Sequence, residues 1–328
     1  MFTFRLAAIL AMTSFFAFER LAWSGEDKKG GTPAKDPDKN TVDENAIRAL
    51  IAQLSDDAFV KREAAHKRLA EIGGPALELL KKAAKESPDA ETRERATQLI
   101  ELIQESGLQV VRADFYHDFR KNGYPLDKFR PDGPNAAKWI KSEPEGLRIT
   151  IPADEAASPP AAGVATAFKI KGDFEVTVGY QILSTDPPQT GYGMGLEVYL
   201  MTDSRTKEAI AFDRRILPGG SDVYACSRNT TDAQGQRQYA GQGNRPAKGA
   251  AGRIRITRIG SKAIFAVEDE LSKDFRVIYR VGLGMEDLSL LRFSANPGRG
   301  FIGVDLRIHD LRVRCADADA LKSIGGAE

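Results

Sequence analysis

The hydrophobic pattern of this 328-residue chain changes its period near Gly107, and this change constrains the fold more than any other feature. Before Gly107, apolar residues recur every three or four positions, which is the spacing of one helix face. One such stripe consists of Ile47, Leu50, Ile51 and Leu54. After Gly107, apolar and polar residues alternate, as in strands with one buried face. The sequence therefore predicts an α+β multidomain chain, with a short α-helical module over residues 41–107 and an antiparallel β-sandwich over residues 108–316.

The helical module contains an internal repeat. Residues 57–64 (DAFVKREA) and 89–96 (DAETRERA) share the pattern D-A-x-(V/T)-(K/R)-x-x-A. The aspartate can cap the second helix of each pair, and the alanine allows close helix packing. The pattern resembles the element that begins the second helix of HEAT-type repeats, which implies about two helical hairpins. Thr41 and Glu44 predict a capping box on the first helix, and Ser87 is expected to cap the fourth.

The second part of the chain contains a series of short strand patterns separated by turns rich in Gly, Pro, Asn and Asp. Because no helical pattern lies between them, they indicate an antiparallel sandwich, and a jelly roll is the arrangement that we expect. The alternation of the last strand changes phase near His309 and Asp310, which predicts a β-bulge.

Three segments carry a more specific resemblance. They are the opening FYHDFRKNGYPLDKFRPDGPNAAKWIKSEPEGLRITIP, the strand GDFEVTVGYQIL and the closing VDLRIHDLRVR. Together they resemble a domain family of unknown function in exported proteins, known mainly from planctomycete bacteria. That family is similar in turn to concanavalin-A-like lectin and glucanase jelly rolls, including the domain of 3-keto-disaccharide hydrolases. The resemblance implies a fold and transfers no catalytic residue, because fold alone does not carry function.

The N-terminus predicts export. Residues 1–5 carry a positive charge, residues 6–18 are mostly apolar, and Ala22 and Ser24 form the small-x-small pattern that signal peptidase reads. We therefore expect a signal peptide over residues 1–24 that is cleaved to leave a secreted or periplasmic protein.

Residues 25–40 are charged and almost free of large apolar side chains, so they predict a flexible linker. Residues 317–328 are expected to form a C-terminal tail. No second apolar stretch approaches the length of a membrane span, so we expect no membrane contact after cleavage. The net charge of +1 argues against a nucleic-acid-binding protein.

The cysteines and histidines do not indicate a cofactor site. Cys226 and Cys315 could form a disulfide in an exported protein, and two free buried thiols are the alternative. The three histidines lack metal-ligand spacing. We expect no metal and no other cofactor.

The polar faces of the predicted strands, together with one glycine-rich loop, supply the candidate binding residues. They are Glu175, Tyr192, Glu197, Tyr199, Arg253 and Arg255. If they share one sheet, they could form a groove for a sugar or an acid, because arginine pairs well with carboxylates and polar ligands. The alternative is a water-facing sheet with cross-strand ion pairs. The consecutive acids at 268–270 lie beside a predicted hairpin and indicate a solvated turn, not a catalytic pair.

No catalytic signature specific to one reaction is present. The leading hypothesis is an exported, non-catalytic binding or scaffold protein. Its sandwich would recognise a glycan or a protein, and its helical repeats would contact a partner. The alternative is a carbohydrate-active hydrolase on the same jelly roll. The sequence does not indicate an oligomeric state.

Overall fold

The computed structural model describes residues 43–155, 161–184 and 186–321. The predicted signal peptide and linker, and residues 322–328 of the predicted tail, lie outside the described residues. In the part of the chain that is described, no helix is both long and apolar enough to cross a membrane.

Four helices form the N-terminal module, and two short ones lie among the first strands. They are α1 (Glu44–Ala52), α2 (Phe59–Ile72), α3 (Leu77–Glu86), α4 (Ala90–Glu105), α5 (Phe119–Asn122) and α6 (Ala136–Trp139). The first four pack around their own apolar cluster, whose fully buried members include Ile47, Leu54, Leu69, Leu80, Ala96 and Leu99. The helical stripes read from the sequence therefore form a small core.

The helix starts differ slightly from the prediction. Asp43 caps α1 by accepting the backbone N–H two positions further on at 2.9 Å, and the predicted cap Thr41 lies outside the described residues. Asp89, not Ser87, caps α4 by accepting the N–H three positions further on at 2.7 Å. Asp57 corresponds to Asp89 in the repeat, but it does not cap α2. Ala58 is the N-cap residue there, because α2 begins two residues after Asp57, whereas α4 begins directly after Asp89.

Fifteen strands follow. They are β1 (Ala113–Asp118), β2 (Phe129–Asp132), β3 (Ile140–Glu143), β4 (Gly146–Ile151), β5 (Ala162–Thr166), β6 (Phe174–Ile182), β7 (Met194–Thr202), β8 (Ala209–Ile216), β9 (Asp222–Thr231), β10 (Arg237–Pro246), β11 (Ala251–Ile259), β12 (Lys262–Asp269), β13 (Ser272–Gly282), β14 (Leu288–Asn296) and β15 (Val304–Cys315).

These strands form two antiparallel sheets. Sheet 1 has the order β13-β12-β11-β6-β15-β4-β3, and β1 pairs with the C-terminal half of β15. Sheet 2 has the order β10-β9-β8-β7-β14-β5-β2. The predicted antiparallel β-sandwich is confirmed, whereas the jelly-roll assignment stays a prediction.

One apolar core lies between the two sheets, because alternate residues of each strand point inward. Val176 and Val178 of β6 are fully buried in it from sheet 1, and Val198 and Leu200 of β7 from sheet 2. The pairing of β15 with β6 shifts register between Ile308 and Asp310, which confirms the predicted bulge. The outward-facing residues of sheet 2 form a candidate functional site.

The two cysteines lie in different sheets. Cys226 is in β9 and Cys315 is in β15, and both are buried, free thiols. Burial raises the pKa of both thiols, that of Cys315 to about 12. The disulfide left open by the sequence is therefore not formed in this structure.

Candidate functional site

One row of side chains crosses the outer face of sheet 2 from β14 to β10. Its members are cross-strand neighbours: Arg292, Tyr199, Ala211, Ser227 and Gly241. Because Ala211, Ser227 and Gly241 are small, they leave a depression beside the longer side chains of the adjacent rows, such as Tyr239 and Glu197. The row is the floor of an open cleft of about 620 Å³, which we call the sheet 2 cleft.

The sheet 2 cleft is elongated and has exposed aromatic side chains. It crosses five strands from β10 to β14, and neighbouring strands lie about 4.8 Å apart, so it is about 19 Å long. Tyr239 on edge strand β10 is 71% exposed, and Tyr192 in the loop before β7 is 45% exposed. A tyrosine presents an apolar ring face and a polar tip. The cleft can therefore contact a ligand that has both apolar and hydroxyl-bearing surfaces.

Glu197 is the carboxylate that lines the cleft, and its position is tightly fixed. Its Oε1 accepts from Arg292 Nη2 at 2.7 Å, and its Oε2 accepts from Asn296 Nδ2 at 3.0 Å. The second terminal nitrogen of Arg292 donates to Asp132 at 3.1 Å. Glu197 is only 8% exposed, so these partners offset much of the cost of burying its charge.

Asn296 joins this carboxylate to the loops at the end of the cleft. Its Oδ1 accepts from the Tyr192 hydroxyl at 3.3 Å and from the N–H of Gly298 at 2.9 Å. A Cβ on Gly298 would lie 1.9 Å from the carbonyl oxygen of Gly193, and one on Gly191 would lie 2.1 Å from the carbonyl oxygen of Gly298. Glycine is therefore required where the two loops meet, and their packing holds Tyr192 in place.

Tyr199 supports the arginine beside it. The Arg292 guanidinium lies 4.9 Å from the centroid of the Tyr199 ring, and the Tyr199 hydroxyl accepts from Arg237 Nη2 at 2.9 Å. Because the guanidinium covers the ring, Tyr199 is less available for ligand stacking than Tyr239. Tyr199 therefore positions Arg292 in the cleft.

Asp213 lies below the cleft surface. It is 1% exposed, its Oδ2 pairs with Arg215 Nη2 at 2.8 Å, and its Oδ1 has no hydrogen-bond partner among the described residues. The pKa of Asp213 is raised to about 7, mainly by burial and partly by the nearby Glu197 charge, while Arg215 opposes the shift. Asp213 is therefore a carboxyl group that changes protonation near neutral pH.

The structure separates the six binding residues predicted from the sequence. Three of them line the sheet 2 cleft: Tyr192, Glu197 and Tyr199. The other three are on the outer face of sheet 1: Glu175, Arg253 and Arg255. This corrects the expectation of one shared groove. Alternation along a strand shows which face a residue occupies, but it does not show which sheet the strand joins.

The sheet 1 residues have structural partners. The buried Glu175 carboxylate accepts from the N–H of Leu108 at 3.1 Å and pairs with Arg314. Arg255 donates to the carbonyl oxygen of Glu105, the last residue of α4, at 3.1 Å. Glu175 and Arg255 therefore attach the end of the helical module to sheet 1. Arg253 pairs instead with the buried Asp310 of β15, at 2.9 Å.

The acids at 268–270 lie at a turn, as predicted, but they are not all solvated. β12 ends at Asp269 and β13 begins at Ser272. Asp269 is buried, accepting from the Tyr224 hydroxyl at 3.2 Å and pairing with Arg276 at 3.0 Å. Its side chain links strands of both sheets, so the expectation of a solvated turn is wrong for this residue.

Several cleft residues were missed by the sequence reasoning. They are Arg215, Asn229, Tyr239, Arg292, Asn296 and Arg299, and Asp213 beneath the cleft was missed as well. The alternation in LSLLRFSAN places Arg292 and Asn296 on one face of β14, so the face of these two residues could have been read. Their approach to Glu197 depends on the pairing of β14 with β7, which no local pattern reveals.

Comparison with known families gives one match. Residues 91–320 match the model of a family described as "Protein of unknown function (DUF1583) C domain". The matched range includes all fifteen strands and the sheet 2 cleft. No curated protein matches the chain.

Three solved structures illustrate what the chain is similar to. LamAcat from Zobellia galactanivorans is 12% identical, with a TM-score of 0.46, over 64% of this chain and 99% of its own. A β-glucanase from Bacillus licheniformis is 10% identical, with a TM-score of 0.41, over 62% of this chain and 98% of its own. A legume lectin-like domain from Entamoeba histolytica is 14% identical, with a TM-score of 0.39, over 58% and 92%. Because all three TM-scores are below 0.5, no property of these proteins is transferred to this chain.

Proposed function

The chain belongs to the family described as "Protein of unknown function (DUF1583) C domain", and we propose that its sheet 2 cleft binds a glycan chain without cleaving it. The observation that carries the proposal is the shape of the cleft. Its volume of about 620 Å³ falls within the usual range of ligand sites. Its length of about 19 Å across five strands suits a chain of linked units better than a single small molecule.

The chemistry of the lining supports a sugar ligand. A sugar ring has apolar C–H faces and hydroxyl edges, so it needs aromatic faces and fixed polar groups together. Tyr239 and Tyr192 supply exposed rings. Arg292, Glu197 and Asn296 supply polar groups whose orientation is set by their mutual hydrogen bonds. Because these side chains are already ordered, they lose little conformational entropy when a ligand binds.

The presence of a single carboxylate in the described lining favours binding over hydrolysis. Glycosidases place two carboxyl groups on opposite sides of the bond that they cleave. Among the described residues that line the cleft, Glu197 is the one carboxylate. Its neighbour Asp213 is buried beneath the surface, with its carboxylate directed toward Arg215.

A hydrolase is the second candidate, and one observation favours it. Glu197 and Asp213 are cross-strand partners, and burial raises the pKa of Asp213 to about 7. Two neighbouring carboxyl groups with different environments can serve as the charged and the protonated member of a catalytic pair. This function requires the Asp213 carboxyl group to become accessible when substrate binds.

A glycan array and a hydrolysis screen on the purified protein separate the two candidates. The binding proposal predicts retention of at least one glycan with no release of reducing ends. If the protein still releases reducing ends after dilution, and Glu197→Gln loses this activity, the hydrolase proposal replaces the binding proposal. Failure to retain any glycan would refute the proposed function.

We also propose that the protein acts outside the cytoplasm as a secreted or periplasmic protein. The charge, apolar run and small-x-small pattern of residues 1–24 support this. Mass spectrometry of the exported protein should find a mature N-terminus at or near Gly25, and an intact Met1 would contradict the proposal.

We propose further that the sandwich is a concanavalin-A-like jelly roll and that the N-terminal helices are HEAT-like repeats that contact a protein partner. The repeated pattern at 57–64 and 89–96 supports the second assignment. Crosslinking in the native host with and without the helical module would test the partner, because loss of crosslinked species without the module is expected.

A further inference from the structure

We infer that the glycan bound in the sheet 2 cleft is acidic, and that Arg299 holds its carboxylate or sulfate group. This inference rests on the proposed glycan binding. Its first support is the charge of the lining, which contains Arg215, Arg292 and Arg299 but a single acid, Glu197. Because Asp213 pairs with Arg215, and Glu197 and Asp132 pair with Arg292, the attraction of the lining for an anion comes mainly from Arg299.

The three arginines differ in what already neutralises them. Arg215 pairs with Asp213 at 2.8 Å, and Arg292 pairs with Glu197 at 2.7 Å. Arg299 is exposed and has no acidic partner within 4.0 Å among the residues that the structure describes. Its guanidinium is therefore the cleft charge that remains available to a ligand.

The backbone at Arg299 supports a functional role. Arg299 has φ of 60°, and Phe301 in the same loop has φ of 52°. Residues other than glycine adopt this left-handed conformation at a cost, and such residues cluster at ligand sites. The loop is held in place because Gly298 packs against the backbone of Gly193 and bonds to Asn296. The strained residue thus sits on a fixed base and carries a free charge.

The surroundings of Arg299 fit a sugar that bears an anion. The N–H of Tyr192 donates to the carbonyl oxygen of Gly298 at 2.9 Å, so the exposed Tyr192 ring and Arg299 belong to the same end of the cleft. A guanidinium can donate two parallel hydrogen bonds to the oxygens of a carboxylate or a sulfate. The Arg215 guanidinium lies 4.8 Å from the centroid of the half-exposed Tyr192 ring. A sugar that contacts the exposed part of this ring would have Arg299 nearby for its acidic substituent.

The test uses matched pairs of polysaccharides on the full chain. Polygalacturonate is compared with its methyl ester, which removes the charge and keeps the backbone, and dextran sulfate is compared with dextran. Isothermal titration should show at least roughly tenfold tighter binding of a charged member than of its neutral partner, since hydrogen bonds to charged groups are the stronger ones. The pair that responds identifies the anion as carboxylate or sulfate.

Three variants assign the effect to Arg299. Arg299→Gln should lose most of the preference for the charged polymer. Arg299→Lys should keep part of it, because lysine keeps the charge but lacks the two parallel N–H donors of a guanidinium. Arg112→Gln is the matched control, because Arg112 is an exposed arginine next to β1 of sheet 1. It should bind like the unaltered protein.

A fourth variant separates recognition from a structural role. Arg299→Gly removes the strain of a left-handed arginine, so it should raise the melting temperature while it lowers binding of the charged polymer. A variant that binds less because it folds less would melt earlier instead.

Three results would overturn the inference. They are equal binding of charged and neutral polymers, an unchanged preference in Arg299→Gln, and an equal loss in Arg112→Gln. In each case glycan binding itself would stand. If none of the four polymers nor any glycan on the array is bound, the proposed function fails with it.

Discussion

Glu197 and Asp213 lie directly opposite each other on neighbouring strands β7 and β8, yet their carboxyl groups have different surroundings. Glu197 accepts hydrogen bonds from Arg292 and Asn296 at the cleft surface. Asp213 is buried below it, with one oxygen paired to Arg215. Burial raises the pKa of the Asp213 carboxyl group, so its protonation state depends on pH.

The first prediction concerns the pH dependence of stability. Burial raises the pKa of Asp213 from 3.8 to about 7, so the folded protein binds this proton more tightly than the unfolded chain. The contribution of Asp213 to stability is then full below about pH 4, and it falls as the pH rises to about 7. The shift corresponds to no more than about 4 kcal/mol.

The measurement compares the unaltered protein with Asp213→Asn by denaturant unfolding from pH 4 to pH 8. Asparagine stays uncharged, so the variant should gain stability relative to the unaltered protein as the pH rises through this window. A constant difference across the range would show that Asp213 is already ionised at pH 4. Arg215→Gln, which removes the opposing charge, should raise the pKa of Asp213 further.

The second prediction concerns the attachment of the helical module. Glu175→Ala should destabilise the protein by about 2 kcal/mol, because it leaves Arg314 and the N–H of Leu108 without their acceptor at a buried site. Glu105→Ala is the matched control. Glu105 pairs with the half-exposed Arg280, so its loss should cost less than about 1 kcal/mol.

Thermal unfolding of both variants checks this prediction. Equal melting temperatures for Glu175→Ala and the unaltered protein would mean that Glu175 does not hold the junction.

The sequence predicted which face of a strand each residue occupies better than it predicted which strands pair with each other. Arg253 and Arg255 alternate with Ile254 and Ile256, and the structure places the isoleucines in the core and the arginines outside, as local alternation dictates. The bulge at Asp310 was readable for the same reason, because a change of phase is itself a local signal.

The assembly of the cleft was not readable from the sequence. Ala211, Ser227 and Gly241 form a floor because β8, β9 and β10 pair in one register. Each residue alone is an ordinary small residue in a strand. Arg292 reaches Glu197 through the pairing of β14 with β7, which are far apart in the chain. Long-range pairing of this kind is set by the whole core and has no signature in a single strand.

Binding of a glycan in the sheet 2 cleft is tested most directly by the affinity of Tyr239→Ala for a glycan that the unaltered protein retains. Tyr239 is an exposed ring in the cleft, whereas Tyr116 is an exposed tyrosine on β1 of sheet 1 and provides the control Tyr116→Ala. Tyr239→Ala should weaken binding by roughly tenfold, or about 1.4 kcal/mol, since a stacking face is lost, while Tyr116→Ala should leave the affinity unchanged. Unchanged affinity in Tyr239→Ala, or an equal loss in Tyr116→Ala, would contradict glycan binding in the sheet 2 cleft.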